Sequence, residues 1–430
     1  MIVRQLISFL RLPQRPMDRK PSPALPKRFC FWNFAACFGW TVALLVLLIR
    51  SAGGYHHTIA FVHFRLAGLQ WTRGENLYTN WRGFVYSPVV AAFFAPFAYL
   101  PASVGIVLWQ LLNAAALLGG LAALLQTISP ADVRRHVGIL CLLLLPSALG
   151  NLDIGHSNPL TIGLLMLAVA AAGVQRWNCA ALCIAMATSL KIYPLAIGLL
   201  ICVVSPRPFA WRLLVALLLF AVAPFLFQHW PYVLDQYRIW ISTRSADNRL
   251  AYTIPYAPLD LWFLLHWVGH TSFPPSLYKL LQLGSGLAIA LFCAWGKRKR
   301  WATERQLTCL FCLALIWMML LGPATEAYTY VLLAPALILV LAHLFTESGS
   351  PGLKLWVSSA FILQLIAAAK ASLLPRFTPV WIFSVQPVST LLFLGACLIW
   401  LLDDSSWGEE LALEKLPEDV AIKLDQNRFA

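Results

Sequence analysis

Long apolar runs alternate with short polar segments along almost the whole chain. Twelve such runs predict candidate membrane-spanning helices, although several are shorter than the about 20 apolar residues that cross a bilayer. The runs lie near residues 30–49, 102–126, 137–150, 158–175, 178–190, 192–204, 209–227, 276–296, 305–321, 327–345, 354–374 and 380–402. The pattern therefore predicts an all-α polytopic membrane protein of about 12 transmembrane helices.

The apolar run at 86–100, YSPVVAAFFAPFAYL, is short and contains two internal prolines. We interpret it as a re-entrant or interfacial hairpin, because a full span here would place the next basic loop on the wrong face. With the hairpin, all basic loops share one face, which the positive-inside rule identifies as cytoplasmic. These loops contain Arg134, Arg135, Arg176, Arg207, Arg212 and the KRKR run at 297–300.

The composition agrees with this interpretation. Hydrophobic residues make up 60% of the chain and charged residues 12%, whereas a soluble domain carries roughly 25% charged residues. The net charge of +14 is explained by the basic loops and by contact with anionic lipids, so we expect no nucleic-acid partner. The ten cysteines show no paired metal spacing, and we infer neither a disulfide nor a metal site from them.

Three segments follow from the pattern. Residues 1–29 are predicted to form a cytoplasmic N-terminal tail, 30–402 the transmembrane domain, and 403–430 an acidic, polar cytoplasmic tail with one amphipathic helix. We expect a multi-pass protein of the plasma (inner) membrane with both termini in the cytoplasm. Interfacial helices are expected in the first external loop.

The remaining polar segments fall on the opposite, outward face. They are 50–85, 151–159, 189–194, 228–275 and the GPATEAY turn at 322–328. Because polar groups at helix ends on one face can line a common cavity, we expect them to converge near the outer leaflet.

Lys191 lies between two apolar runs that are both too short to be comfortable spans. A lysine that snorkels to the interface is one interpretation. A ligand for the phosphate of an anionic lipid is the other, with Tyr193 and Pro194 holding the turn rigid.

The DIGHSN turn offers Asp153, His156 and Asn158 within six residues. It could be an ordinary polar turn in which Asn158 precedes Pro159 at a helix start. It could also hydrogen-bond a polyhydroxylated ligand.

Glu326 is a lone carboxylate between two strongly apolar runs. A carboxylate at a helix N-terminus is favoured by the helix dipole alone. Thr325, Tyr328 and Tyr330 beside it would also suit a sugar or an acceptor hydroxyl, and Glu326 could then act as a general base.

The first external loop contains His56, His57 and His63, but their spacing matches no common metal site, so no metal or other cofactor is predicted. Arg65 is a candidate phosphate ligand because it lies in an amphipathic stretch and not at a span end. The STRSADNR segment at 242–249 is predicted to be a solvated surface turn.

Several motifs in order carry a family resemblance. GENLY (74–78), FVYSPVVAAFFAPFAYLP (84–101), LWQLLN (108–113), GHSNPLTIGLLMLAVAA (155–171) and CIAMATSLKIYPLAIGLL (183–200) resemble glycosyltransferase family 87, of GT-C architecture. The resemblance covers roughly residues 50 to 340. It implies an enzyme that transfers a sugar, commonly mannose, from a polyprenyl-phosphate donor to a glycolipid or glycan acceptor outside the cytoplasm.

The resemblance also implies roles for particular residues. LKIYP matches the family's Lys-x-Tyr-Pro, which places Lys191 and Tyr193 at the donor phosphate, with Arg65 as a further ligand. In GHSN, His156 replaces the usual Gln. The residues expected to contact the sugar or the acceptor are His156, Asn158, Tyr86 and Tyr328.

One departure from the family concerns the catalytic base. The family usually carries an Asp upstream of the stretch that corresponds to Gly74–Tyr78, and GGYHHTIAFVHFRLAG contains no acid here. The base would then be Glu326 or Asp153, or a histidine of the His56/His57 pair. The alternatives to an active hexosyltransferase are a catalytically silent lipid-binding subunit and a transporter or flippase of a lipid-linked saccharide.

Overall fold

The structure is a computed structural model that describes residues 27–53, 59–79, 83–252, 257–322, 325–346, 349–373 and 380–407. Within these ranges the chain is helical and contains no β-strand, which confirms the all-α prediction. Most of the predicted tails 1–29 and 403–430, including the expected amphipathic helix, lies outside the described residues.

Fifteen helices of ten or more residues occur in the described part of the chain. They are α1 Lys27–Ala52, α2 Ile59–Arg73, α3 Pro88–Tyr99, α4 Ala102–Ile128, α5 Val137–Ile154, α6 Asn158–Gly173, α7 Trp177–Leu190, α8 Leu195–Val204, α9 Pro206–Val222, α10 Trp230–Ala246, α11 Pro275–Arg298, α12 Thr303–Leu321, α13 Ala334–Thr346, α14 Pro351–Leu373 and α15 Val385–Leu402. Short 3-10 helices at Ala223–Leu226 and Ala327–Leu332 extend α9 and precede α13.

Nine helices of the described part are long and apolar enough to cross a membrane, so the chain has the character of a multi-pass membrane protein. The predicted count of about 12 is not reached, because α6, α7 and α8 have only 16, 14 and 10 residues. At 1.5 Å per residue these helices are about 24, 21 and 15 Å long. A hydrocarbon core is about 30 Å thick, so none of the three is long enough to cross it.

The interpretation of the run at 86–100 agrees with the structure. The run forms α3, which has 12 residues and is about 18 Å long, too short to span. The α2 helix of the first loop packs on it so closely that a Cβ at Gly68 would lie 2.5 Å from the carbonyl oxygen of Phe94. The N-terminus of α3 is tied to α7, because the Ser87 hydroxyl donates to the carbonyl of Ser189 at 2.8 Å.

The helices differ in how much of their surface the bundle covers. In α12 and in the helical segment Ala327–Thr346, 89% of the most apolar window is buried, whereas only 11% is buried in α11. On α11 the exposed side chains form a leucine stripe that includes Leu280, Leu283 and Leu287. We infer that α12 and α13 form the core of the bundle and that α11 faces lipid.

Connectivity divides the bundle into two ends. The turns at 155–157 and 191–194, together with Gly322 and Glu326, lie at one end, which we call the polar end. The loops that contain Arg134, Arg176 and 297–300 lie at the other, the basic end, since each helix between them runs from one end to the other.

The closest contact between long helices joins α4 and α6 through glycine. A Cβ at Gly120 would lie 2.5 Å from the carbonyl oxygen of Gly163, and a Cβ at Gly163 would lie 2.4 Å from the carbonyl of Ala116. Small residues let helix backbones approach closely within a membrane, where apolar side chains gain little from leaving lipid. This contact fixes α6, and with it the turn that precedes α6.

A pair of neighbouring glycines tests the contact. Gly120→Ala should lower the free energy of unfolding by about 1–3 kcal/mol, because the added methyl group meets backbone that cannot move aside. Gly119→Ala is the matched control, since no heavy atom lies within 4 Å of its Cβ position; it should be neutral or stabilising by about 0.5–1 kcal/mol. Thermal unfolding in detergent measures both, and equal effects of the two substitutions would contradict the close packing.

Candidate functional site at the polar end

The turn between α5 and α6 contains the GHSN motif. Gly155 ends α5 with φ of +72°, a left-handed conformation that favours glycine. The backbone N–H of His156 then closes the helix by donating to the carbonyl of Asn151 at 2.9 Å. A side chain at Gly155 is also excluded by space, because its Cβ would lie 2.8 Å from the Cβ of Phe61.

The adjacent helix α4 holds this turn with three side chains. The indole Nε1 of Trp109 donates to the carbonyl of Gly155 at 2.8 Å, and the amide of Gln110 donates to the carbonyl of Leu152 at 3.0 Å. The side-chain oxygen of Asn113 accepts from the backbone N–H of Leu160 at 3.0 Å. All these groups are buried, so each bond satisfies a backbone group that water does not reach.

These three α4 residues were not predicted as part of the site. They lie in the LWQLLN motif, and two amides, Gln110 and Asn113, stand three positions apart in an otherwise apolar span. That spacing places both on one helix face and is the signal that could have identified them.

Asn158 connects the turn to the segment that follows Glu326. Its amide donates to the side-chain oxygen of Asn151 at 2.9 Å and to the carbonyl of Tyr328 at 3.1 Å. Asn158 is completely buried, so in this conformation it braces the site and does not reach a sugar. Tyr328 is half-buried and remains available to a ligand.

His156 lies at the centre of the predicted residues. Its ring centroid is 5.7 Å from that of Tyr328, and its Nδ1 is buried without a hydrogen-bond partner among the described residues. Burial lowers the pKa of His156 well below its usual range; the Lys191 ammonium also lowers it, whereas the Glu326 carboxylate raises it. The imidazole is therefore neutral at pH 7, and it lies within electrostatic reach of both charged groups.

Lys191 follows the last residue of α7 in an extended conformation. Its ammonium lies 5.6 Å from the centre of the Tyr193 ring, a distance at which the ring face attracts a cation. Tyr193 is buried and Lys191 is partly buried. The turn that contains Lys191 joins α7 to α8, and neither helix is long enough to cross the hydrocarbon core.

Glu326 caps the 3-10 helix Ala327–Leu332. Its carboxylate accepts from the backbone N–H of Thr329, and the Thr329 hydroxyl accepts from the backbone N–H of Glu326 at 3.2 Å. The capping role considered from the sequence is thus present. The side chain is nevertheless exposed, so the bond orients the carboxylate without burying it.

Asp153 is near Tyr328 and is paired with an arginine. Its carboxylate is 3.4 Å from the guanidinium of Arg50 at the end of α1, and it acts electrostatically on the Tyr328 hydroxyl. The structure therefore brings Asp153, His156, Lys191 and Glu326 to one region. His56 and His57, the third option for a base, lie outside the described residues.

Two other predicted residues have structural contacts. The guanidinium of Arg65 donates to the carbonyls of Ala98 and Leu100 at 3.2 and 3.3 Å and so caps the C-terminus of α3. Ser87, beside Lys191, is at the N-terminus of the same helix, about 16 Å away along its axis. Arg65 is therefore a helix cap in this structure and is separated from Lys191.

Tyr86 lies at the entrance to α3, in the FVYSP motif. Its carbonyl accepts from the Tyr78 hydroxyl at 2.8 Å, and its ring centroid is 4.7 Å from that of Phe64. The ring is half-buried, so Tyr86 belongs to the packed wall between α2 and α3 with one part still accessible.

A cleft adjoins the cluster between α5, α13, α14 and α15. It contains about 470 Å³ of unfilled space, counting the part that is open to solvent. Asn151 and Tyr328 line it together with the buried glutamines Gln364 and Gln386. Tyr328 thus separates this cleft from His156.

The STRSADNR segment, predicted to be a solvated turn, is helical up to Ala246 and only partly solvated. Arg244 and Asp247 form an ion pair at 3.0 Å, with only 22% and 11% of their side chains exposed. The Tyr252 hydroxyl also donates to Asp247, at 2.7 Å. The segment is a partly buried, internally paired end of α10.

Asn158 provides a test of the brace. In Asn158→Asp the amide that donates to Asn151 and Tyr328 becomes an acceptor, so buried oxygens face each other and a charge is left unpaired. We expect the free energy of unfolding to fall by more than about 2 kcal/mol. Asn178→Asp is the control, because Asn178 is exposed and its oxygen already accepts from Arg212. Chemical denaturation in detergent measures both, and an Asn158→Asp protein as stable as the control would rule out the brace.

The comparisons with known proteins agree with the motifs. The model of glycosyltransferase family 87 matches residues 84–323, which are 240 of the 430 residues and include Asp153, His156 and Lys191. Glu326 lies three residues beyond the match. The search of curated proteins finds no match. Because the family model covers more than half of the chain, the resemblance predicted from the sequence is confirmed: the chain belongs to glycosyltransferase family 87.

Proposed function

We propose that the protein transfers a hexose from a polyprenyl-phosphate donor to a glycolipid or glycan acceptor on the extracytoplasmic side of the plasma membrane. The observation that supports this most is the placement of a cation, Lys191, and a carboxylate, Glu326, around the single imidazole of His156. A transferase that releases a phosphate needs both charges near the reacting carbon.

The depth of the cluster favours a lipid-linked donor. Neither α7 nor α8 is long enough to cross the hydrocarbon core, and we infer that the Lys191 turn between them lies below the surface of the bilayer. A donor whose hydrocarbon chain remains in lipid can bring its phosphate to that depth, while a water-soluble nucleotide sugar would have to leave water to reach it.

The proposed step is a direct displacement. The oxygen of an acceptor hydroxyl forms a bond to the anomeric carbon, and the bond between that carbon and the phosphate oxygen breaks. The base takes the hydroxyl proton, and polyprenyl phosphate leaves with the electron pair. Lys191 stabilises the charge that develops on the phosphate, and inversion at the anomeric carbon follows from the single displacement.

Glu326 is the stronger candidate for the base. It is exposed, its position is fixed by the bond from Thr329, and it acts on His156. Asp153 is the second candidate, although its carboxylate is already paired with Arg50. His156 and Tyr328 would line the sugar site, and Asn158 would position them.

Lys191 tests the donor site. Lys191→Ala should lower kcat for transfer from a polyprenyl-phosphate sugar by about 10²–10³-fold, because one stabilising charge is lost from the transition state. Lys279→Ala is the control, since Lys279 is an exposed cation near the start of α11 at the same end of the bundle. Reconstituted protein and a radiolabelled donor provide the assay. Unchanged turnover in Lys191→Ala, or an equal loss of turnover in Lys279→Ala, would contradict a specific role of Lys191 in the donor site.

The two carboxylates test the base. Glu326→Gln should lower kcat by about 10²–10⁴-fold, the usual contribution of a general base, while the amide oxygen keeps the cap of the 3-10 helix. Asp153→Asn should lower kcat by less than tenfold. The comparison of kcat for the two variants decides between them, and the reverse order would assign the base to Asp153.

A further inference from the structure

Asp260 is a buried carboxylate that the proposed reaction does not use. It is 2% exposed and lies in the external loop before the short helix Leu261–Phe263. Within the described part of the chain it forms no ion pair. Its carboxylate accepts from the backbone N–H of Phe263 at 3.1 Å and is hydrogen-bonded to the hydroxyl of Tyr278.

The capping bond alone does not explain an acid at this position. An asparagine or serine supplies the same acceptor to the start of a helix without a charge. A buried carboxyl without a cation nearby is costly when it is ionised, so its presence calls for another reason.

The neighbouring residue shows what Asp260 is attached to. The backbone N–H of Leu259 donates to the carbonyl of Thr325 at 2.7 Å, and the carbonyl of Leu259 accepts from the hydroxyl of Tyr330 at 2.6 Å. Thr325 precedes Glu326, and Tyr330 belongs to the helix that Glu326 caps. The two bonds of Leu259 therefore hold the chain before and after Glu326, and we call Leu259 together with its neighbour Asp260 the clamp.

The other side of the clamp is Tyr278, which is completely buried on α11. Its hydroxyl donates to the carbonyl of Leu320 at 3.3 Å, accepts from the backbone N–H of Trp262 at 3.3 Å, and also meets Asp260. This hydroxyl can donate to an ionised Asp260 or to Leu320, but it has one proton. The protonation of Asp260 thus changes the bonds that join the loop to the end of α12.

We propose that Asp260 is a positioning residue that makes the hold on the Glu326 turn depend on pH. The inference rests on the proposed function, in which Glu326 belongs to the reaction site. The clamp is closed when Asp260 is neutral and opens more readily when Asp260 is ionised, because opening gives the charge access to water.

The titratable groups that face Asp260 come from two elements packed against its loop. They are Tyr278 on α11 and Tyr330 on the 3-10 helix, both phenols. His266, one turn further along the same loop, stacks on Trp262. Burial raises the pKa of Asp260 to about 7, so the carboxyl changes charge in the range in which the protein would work.

The sign of the effect follows from linkage. In the open state the pKa of Asp260 has its ordinary value of 3.8, so the carboxyl is ionised above that pH. In the closed state it keeps its proton until about pH 7. Closing therefore becomes less favourable as the pH rises between these values. From pH 6 to pH 8 the equilibrium constant for opening should rise about tenfold.

Hydrogen exchange measured by mass spectrometry tests this without any substrate. After correction for the intrinsic effect of pH, peptides that cover 257–264 and 325–332 should lose about tenfold in protection between pH 6 and pH 8. In Asp260→Asn, which is neutral at every pH and keeps the acceptor for Phe263, protection should be the same at both. Asp235→Asn is the control, because Asp235 is an exposed, ion-paired carboxylate on α10, and it should behave like the wild type.

Two further results complete the test. The melting temperature of the wild type should fall between pH 5 and pH 8 by more than that of Asp260→Asn. This comparison remains informative if local exchange is too fast to follow. The rate of sugar transfer should change near pH 7 in the wild type but not in Asp260→Asn. Identical pH dependence of exchange and unfolding in the wild type and Asp260→Asn would overturn the clamp. Absence of transfer from polyprenyl-phosphate donors would instead overturn the proposed function and leave the exchange result standing.

Discussion

The length of three helices determines the rest of this structure. Because α6, α7 and α8 are shorter than the hydrocarbon core is thick, none of them crosses it alone, and we infer that the turns at their polar ends lie within the depth of the membrane. Irregular backbone at that depth is tolerated only where protein or a water-filled cavity satisfies its polar groups. At the polar end, the turn before α6 meets this condition through bonds from α4 and through Asn158, and it lies beside the cleft.

The same condition explains why the site is rigid. The GHSN turn has its carbonyls bonded by Trp109 and Gln110 from α4, and Asn158 ties it to the backbone that follows Glu326. The position of α4 is set in turn by the glycine contact with α6. Charged and aromatic side chains on the turns are thus oriented by the bundle core and not by surface loops. A site of this kind suits a reaction in which a phosphate must be placed relative to a base.

Some of this could be predicted from the sequence. Apolar runs identified the helices, and the shortness of the runs around Lys191 already placed that lysine near the membrane surface. The polar residues between short runs were expected to converge, and the structure brings Asp153, His156, Lys191 and Glu326 together.

The remaining features depend on contacts between distant segments. Arg65 caps a helix that begins 23 residues later, the Arg244–Asp247 pair is partly buried by its surroundings, and Asp260 meets Tyr278 on a different element. The burial of Asn158 likewise depends on Tyr328, which is 170 positions away. Periodicity and local motifs report which residues share a helix face or a turn. They do not predict which backbone carbonyls a side chain from a distant segment will hydrogen-bond.

The central claim is that the polar end of the bundle receives a lipid-linked phosphate beside Lys191. It is tested most directly by a structure of the protein in a nanodisc with a non-transferable polyprenyl-phosphate sugar. The phosphate should lie within hydrogen-bond distance of the Lys191 ammonium, and the anomeric carbon should face His156 and Glu326. A phosphate bound among the arginines of the basic end, or at the polar end with Lys191 turned away from it, would contradict the account.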